Sequence, residues 1–358
     1  MELSKEASLS DLRAAINQAL SAFIQEENLY LRSIGPELNP VADALERFLL
    51  DSGKRLRPLF AYVGYLGTGA EPSPEIIKAA SALELIHVCA LIHDDVMDGS
   101  DTRRGAPAIH KAFEQIHNDQ NLLGSPEQFG ISSAILLGDL ALIWASKFLH
   151  QSGIEASAML RALPLYDEMR VELMAGQYLD VYEQALASAS VERSLRVARF
   201  KSGKYTIERP LHFGAALGSS APAGYLEKYS AYGLPLGEAF QLRDDVLGVF
   251  GDSQETGKPA GDDLREGKRT VLMAITHDRA STAQRDVIKN LLGNQEITLE
   301  GVNTLRAIIT ETGALDELER TIEGLTNRAL AAIHDPEIDV TAQKHLEDLV
   351  TIAIKRST

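Results

Sequence analysis

The chain has 358 residues, 45% of them hydrophobic and 24% charged, with 35 Lys and Arg against 51 Asp and Glu and a formal net charge of −16. That length can bury one large core or two, and the acidic balance argues against nucleic acid or an anionic membrane as the main partner. The single cysteine, Cys89, rules out an intrachain disulfide and fits a reducing compartment, so a cytoplasmic location is expected. Residues 1–30 are amphipathic and charged, unlike a secretion signal. No window offers ~18 uninterrupted apolar residues, so no integral membrane segment is expected.

Taken in chain order, apolar spacing of three and four residues dominates. Residues 8–33 predict an amphipathic helix with Leu12, Ile16, Leu20 and Ile24 on one face, ended by Pro36 and Pro40. A second helix is expected from about Val41 to Leu50, followed by the basic turn Asp51-Ser52-Gly53-Lys54-Arg55-Leu56-Arg57-Pro58. One long helix is expected from Pro74 to Met97, then a polar loop from Gly99 to Pro107 carrying Arg103 and Arg104. Further long helices are expected over 131–151, 155–187, 191–218 and 222–250, with a Gly-, Asp- and Lys-rich loop over 251–268. No alternating strand pattern, linker or convincing repeat breaks the chain. The expected fold is all-α, a single large helical bundle over residues 1–358 with its motif-bearing core at about 40–280.

The chemistry sits in two acidic clusters. The first is Asp94-Asp95-Val96-Met97-Asp98, closing the apolar run from Leu85 to His93. The second is Asp244-Asp245-Val246-Leu247-Gly248, with Asp252 just beyond. Carboxylates at i and i+4 project from one helix face. Two such faces set against each other repel unless a cation lies between them, and hard oxygen donors suit Mg²⁺ completed by phosphate oxygens and water. Three groups of bases accompany the acids: Lys54, Arg55 and Arg57; Arg103 and Arg104; Lys258 and Lys268. Arg and Lys are the usual partners of phosphate. The residues therefore point to a Mg²⁺–diphosphate site between two helices.

These elements resemble those of the trans-isoprenyl diphosphate synthases, or polyprenyl synthetases. Gly53-Lys54-Arg55-Leu56-Arg57-Pro58 is similar to a family element, and Asp94–Asp98 followed by Arg103-Arg104-Gly105 resembles the first aspartate-rich motif. Gly138-Asp139, Gly176-Gln177-Tyr178-Leu179-Asp180, Lys201-Ser202-Gly203, Phe240 to Asp245, Gly257-Lys258 and Lys268 follow in the family order. The resemblance implies an all-α homodimer with a central cavity, condensing isopentenyl diphosphate with an allylic diphosphate. It implies that Asp94, Asp98 and Asp244 bind Mg²⁺, three ions per site, with Asp95 and Asp245 beside them. It assigns Arg103, Lys201, Lys258 and Lys268 to the allylic diphosphate. Gly53, Lys54, Arg57, His87 and Arg104 fall to the isopentenyl diphosphate, and Lys201, Ser202 and Gln241 stand beside the allylic carbon. One departure is Gly248, where many relatives have a third aspartate; another is His87, where some have glutamine.

Product length in such a fold follows the depth of an apolar tunnel below the first motif. Cys89 and Ala90, five and four residues before Asp94, are small and leave that level open. The chain is then expected to stop deeper, against Ile86 or against Trp144 and Phe148, giving the twenty-carbon geranylgeranyl diphosphate; a fifteen-carbon or longer product is the alternative. A terpene cyclase would need no second basic pocket, and a non-catalytic subunit usually loses one aspartate motif.

Overall fold

Helices form where apolar spacing meets a cap. Ser8 begins the first with a reciprocal capping box to Asp11. Ser73 and Ser125 each accept a backbone N–H two residues past a first-turn proline. The computed structural model describes residues 4–51, 53–187, 189–251 and 261–354. Ser52, Asp252, Gly257 and Lys258 lie outside the described residues.

In chain order the helices are α1 (Leu9–Ile34), α2 (Asn39–Leu50), α3 (Leu56–Leu66), α4 (Pro74–Asp98), α5 (Ile109–Asp119), α6 (Pro126–His150) and α7 (Ala156–Leu186). Then come α8 (Val191–Val197), a π-helical segment (Ala198–Glu208), α9 (Arg209–Gly218) and α10 (Ala223–Phe250). The remainder is α11 (Asp262–Glu266), α12 (Val271–Arg279), α13 (Thr282–Leu291), α14 (Leu299–Glu311), α15 (Ala314–Ala331) and α16 (Val340–Ile354). The fold is all-α, as expected.

The helix α5 was not expected, α11 falls inside the expected 251–268 loop, and two further local features depart from the expectation. The loop after α4 contains a small antiparallel pair, β1 (Thr102–Arg103) and β2 (Ala106–Pro107), with Arg103 opposite Ala106. The helix expected over 191–218 is interrupted by the π-helical segment, whose wider i→i+5 turn leaves no distinct signature in apolar spacing.

Two compact units are present. The first comprises Met1–Tyr166, Arg209–Glu227 and Asp335–Leu346. Here α4 packs against α1, α3 and α6, while α9 lies on α3 and α5 on α6. Leu12, Ile16, Leu20 and Ile24 of α1 are fully buried, as their spacing requires. By length and hydropathy α4 and α6 could each cross a membrane, but the apolar window of α4 is mostly buried inside this unit, which makes it a core helix. The second unit comprises Asp167–Glu208, Lys228–His334 and Glu347–Thr358. Its core joins Leu242, Val246 and Val249 of α10 to Leu264, Leu272, Leu305 and Leu318 of the helices that follow.

Candidate active site

In the first unit, α4 delivers the first acidic cluster at its C-terminal end, where carbonyl dipoles already concentrate negative potential. Asp94 and Asp98 are partly exposed on one face, whereas Asp95 is fully buried. Arg103 reaches back from β1 to engage Asp95 through Nε at 2.9 Å and through Nη2, and its Nη2 also lies 3.7 Å from Asp94. Asp95 thus holds Arg103 against the first aspartate. The pairing of β1 with β2 fixes that reach, and sequence reading had only a loop here. Arg104, in the turn between the strands, adopts a left-handed backbone (φ 53°).

The residue before Asp94 explains the Gly138-Asp139 element. His93 Nε2 donates to the Ile135 carbonyl at 3.1 Å and lies 3.8 Å from Asp139. A Cβ on Gly138 would collide with the His93 ring. With Nε2 as donor, Nδ1 is left as the acceptor facing Cys89 Sγ at 3.7 Å. Burial pushes the Cys89 thiol up to about 12, with Asp139 adding to the shift, so it remains neutral. Helix α6 therefore grips α4 one residue before its acidic face.

The basic turn divides into two roles. Arg55 is buried, pairs with Glu84 at 2.8 Å, and donates to Asn17 at 2.8 Å and the Leu49 carbonyl at 2.7 Å. It ties α1, α2 and α4 together. Lys54 is exposed and Arg57 is buried. His87 keeps some exposed surface, yet its pKa lies well below the ordinary histidine value. Burial is the main cause, and Arg57, Arg104, Arg103 and Arg55 add to it. Those four guanidinium groups therefore lie within electrostatic reach of one neutral imidazole. Arg104 also stands over the Phe48 ring at 5.8 Å. Arg57, His87 and Arg104, assigned by sequence to one diphosphate, are brought together.

In the second unit, α10 repeats the pattern: Asp244 is partly exposed and Asp245 is buried. Asp245 accepts from Gln241 Nε2 at 2.9 Å and from the Val271 N–H at 3.3 Å. Burial, then the charges of Asp263 and Asp244, push its pKa up to about 8, opposed by those hydrogen bonds. This is a crowd of carboxylates that a divalent cation would relieve. Asp245 also orients Gln241 through its Nε2, so Oε1 is the acceptor end of that amide. Lys268 pairs with Glu266 at 2.7 Å and Asp263 at 3.3 Å. Asp263 was not among the residues expected from sequence.

Lys201 and Ser202 lie on the π-helical segment, and Lys201 Nζ donates to Asp180 at 2.6 Å. Gly176 and Gly237 let this wide segment in from either side: a Cβ on Gly176 would meet the Phe200 carbonyl carbon at 2.6 Å, and one on Gly237 the Gly203 oxygen at 2.6 Å. The spacing Gly176…Asp180 thus seats and orients the lysine.

The three residues expected to set product length differ in aspect. At about 100° per residue, Ala90 stands about 40° from Asp94 around α4, Ile86 about 80°, and Cys89 about 140°. Ala90 is partly exposed beside the acidic face, whereas Cys89 and Ile86 are fully buried. Trp144 and Phe148 of α6 are buried against Phe23 of α1, with Phe23 stacked on Phe148 at 4.3 Å and edge-on to Trp144 at 6.3 Å. Phe23 was not singled out beforehand; its place three residues after Leu20 on the buried stripe was the available signal.

Residues 39–309 match the family model of polyprenyl synthetase. The crystal structure of geranylgeranyl pyrophosphate synthase from Corynebacterium glutamicum complexed with isoprenyl diphosphate and magnesium is 40% identical, covering 98% of this chain and 100% of that one, with a TM-score of 0.94. A geranylfarnesyl diphosphate synthase of Aeropyrum pernix is 31% identical over 311 residues, 85% of this chain and 90% of the relative. A nonaprenyl diphosphate synthase of Mycobacterium tuberculosis is 29% identical over 326 residues, 88% and 87% of the two chains. The acidic faces of α4 and α10, the guanidinium cluster about His87 and these similarities agree, and the chain belongs to the polyprenyl synthetase family, the trans-isoprenyl diphosphate synthases.

Proposed function

We propose that this protein is a geranylgeranyl diphosphate synthase, condensing isopentenyl diphosphate with dimethylallyl, geranyl and farnesyl diphosphate and stopping at twenty carbons. The observation that carries this reading is the pairing, on one helix, of the acidic face Asp94/Asp98 with a separate base cluster at His87. A reaction with two diphosphate substrates needs both devices. A terpene cyclase, with one diphosphate, has no use for the second.

The donor set fits Mg²⁺. Asp94, Asp98 and Asp244 offer only oxygen, and among the described residues no three His, Cys, Asp or Glu side chains converge as a ready cage. Mg²⁺ needs none, because it takes one or two carboxylates and fills its shell with phosphate oxygens and water. Three ions per site follow from the family pattern. When bound, Mg²⁺ supplies charge neutralisation for the leaving diphosphate.

The protein's own residues do the rest. Arg103, fixed by Asp95, and Lys201, fixed by Asp180, present cations to the allylic diphosphate, with Lys258 and Lys268 assigned to the same group. They stabilise the charge that develops as the C–O bond breaks. Lys54, Arg57, His87 and Arg104 hold isopentenyl diphosphate, with Gly53 in their turn. The Gln241 amide oxygen directs a dipole at the allylic cation without forming a bond to it, and Ser202 lies beside Lys201. The isopentenyl double bond attacks, a C–C bond forms, and one proton leaves. No side-chain base is assigned to that proton; the released diphosphate takes it. Small, partly exposed Ala90 leaves room beside α4, and Trp144 and Phe148 of α6 with Phe23 of α1 supply bulk deeper down.

The same reading makes the protein a cytoplasmic homodimer. Leu136 and Ile143 of α6 are 66% and 63% exposed, an apolar face that a second copy would cover. Incubation with labelled isopentenyl diphosphate and each allylic primer, followed by sizing of the products, tests the proposal. A main product of twenty carbons is expected. A twenty-five-carbon product would make it a geranylfarnesyl synthase, and no condensation at all would remove the catalytic reading.

A further inference from the structure

Two arginines stand side by side at the tip of the β1–β2 hairpin, and the fold holds them by different means. Arg103 is tied to the carboxylates of Asp95 and Asp94. Arg104, among the described residues, has no side-chain hydrogen bond or ion pair; its guanidinium stands over the face of the Phe48 ring on α2, 5.8 Å from the centroid. Glu84 and Asp51 act on it electrostatically without bonding it, and burial, the largest influence, lowers its pKa from the ordinary arginine value. A cation over an aromatic face is held most strongly where water has been removed from it.

Both sides of the contact are built. Arg104 and Gly105 form the two-residue turn of the hairpin, with φ of 53° and 75°. Positive φ at both positions is the type I′ geometry, which favours Asn, Asp or Gly at the first. An arginine there accepts backbone strain, and what it gains is the reach of its side chain from the tip. On the other side, Phe48 lies in the last turn of α2. The Arg55 guanidinium fixes that turn by donating to the Leu49 carbonyl at 2.7 Å and the Asp51 carbonyl at 3.2 Å. The buried arginine of the basic turn thus sets the ring on which Arg104 rests.

A carboxylate in the place of that ring would grip the guanidinium along its N–H edge and take up the donors a diphosphate needs. A ring holds the guanidinium by its flat face and leaves the in-plane donors open. We propose that Phe48 is a positioning residue for isopentenyl diphosphate: its ring steadies Arg104 from beneath and keeps the N–H donors of that arginine free for the diphosphate. The inference rests on the reading of Arg104 as an isopentenyl diphosphate ligand given above. Phe48 acts through Arg104 and does not touch the reacting atoms.

Calorimetric titration of isopentenyl diphosphate into the full-length protein, with no allylic primer present, reads binding apart from turnover. Phe48→Leu, which keeps apolar bulk and removes the ring, should weaken binding about 3- to 30-fold, the span of a partly desolvated cation–π contact. In steady state the same factor should appear in KM for isopentenyl diphosphate, and much less of it in kcat or in KM for farnesyl diphosphate. Phe48→Tyr, which restores a ring, should recover the affinity. In an Arg104→Met background, Phe48→Leu should cost nothing further. Thermal denaturation of the same samples shows which variants are folded, and Phe48→Met supplies a second ring-free variant. Parent-like binding by folded Phe48→Leu would overturn the proposal. So would a folded Phe48→Tyr that binds no better than Phe48→Leu, or a loss that persists at full size beside Arg104→Met. Arg104→Met alone separates the two levels. If it weakens binding while Phe48→Leu does not, only the role of Phe48 falls; if it binds as the parent does, the reading of Arg104 as a ligand falls as well.

Discussion

Substituting phenylalanine at Ala90 and at Cys89 should have opposite consequences, although the positions are adjacent. Ala90 lies four residues before Asp94, about 6 Å back along α4 and about 40° around it, and it keeps exposed surface. A ring there projects beside the acidic face without displacing packed atoms. A twenty-carbon chain forced past it would meet an overpacking cost of about 1–3 kcal/mol, which shifts the ratio of long to short product by about 5- to 150-fold. The main product should move towards fifteen carbons, with total condensation and thermal stability little changed. Cys89 is fully buried on the far side, its Sγ 3.7 Å from His93 Nδ1, beside the contact in which His93 fills the space over Gly138. A ring there drives α4 from α6, so the same 1–3 kcal/mol or more falls on the folded state. Cys89→Phe should melt earlier and lose activity at every chain length. Product sizing after incubation with labelled isopentenyl diphosphate, with thermal denaturation of the same samples, reads both effects. The reasoning is refuted if Cys89→Phe shortens the product at unchanged stability while Ala90→Phe leaves the distribution alone.

Other perturbations probe the remaining parts. Asp94→Ala and Asp244→Ala should each lower kcat by about 10²–10³ or more at saturating Mg²⁺, the scale of one lost charge-stabilising group; near-normal turnover in either would reject its assignment. Arg55→Met should cost about 3–5 kcal/mol in urea unfolding because Glu84 is left buried without its ion pair, whereas Arg57→Ala should mainly raise KM for isopentenyl diphosphate, and a reversal of these two patterns would break the division of the basic turn. His87 has a folded pKa below its unfolded value of about 6.5, so its contribution to stability is present above that pH and is lost as pH falls towards the folded pKa, by up to about 1.4 kcal/mol per pH unit. His87→Gln should flatten unfolding free energy between pH 7 and 5, and an unchanged slope would contradict the buried neutral imidazole. Gly138→Ala should dislodge His93 and weaken Mg²⁺-dependent thermal stabilisation in the presence of pyrophosphate; stabilisation equal to the parent's would show that the α4–α6 grip does not seat the acidic face.

Much of this molecule is written locally. The stripe Leu12, Ile16, Leu20 and Ile24 predicts a buried face because side-chain direction repeats every 3.6 residues, and all four are buried. The acidic clusters and basic turns were legible because charged residues closing apolar runs must find partners. What spacing cannot carry is the identity of a partner far along the chain. Lys54, Arg55 and Arg57 look equivalent in sequence, and only the packing of α3 and α4 gives Arg55 to Glu84 and leaves Arg57 near His87. Cys89 and Ala90 are neighbours with similar bulk, and only α6 decides which is enclosed. The π-helical segment keeps an apolar rhythm that a 3.6-residue helix would also satisfy, so the glycines that admit it give the reason for its place. Gly248 reads in sequence as a missing ligand. Only the tertiary structure shows that a Cβ at 248 would meet the Asp263 carboxylate, because the packing that brings α11 back against α10 joins positions that local spacing does not relate.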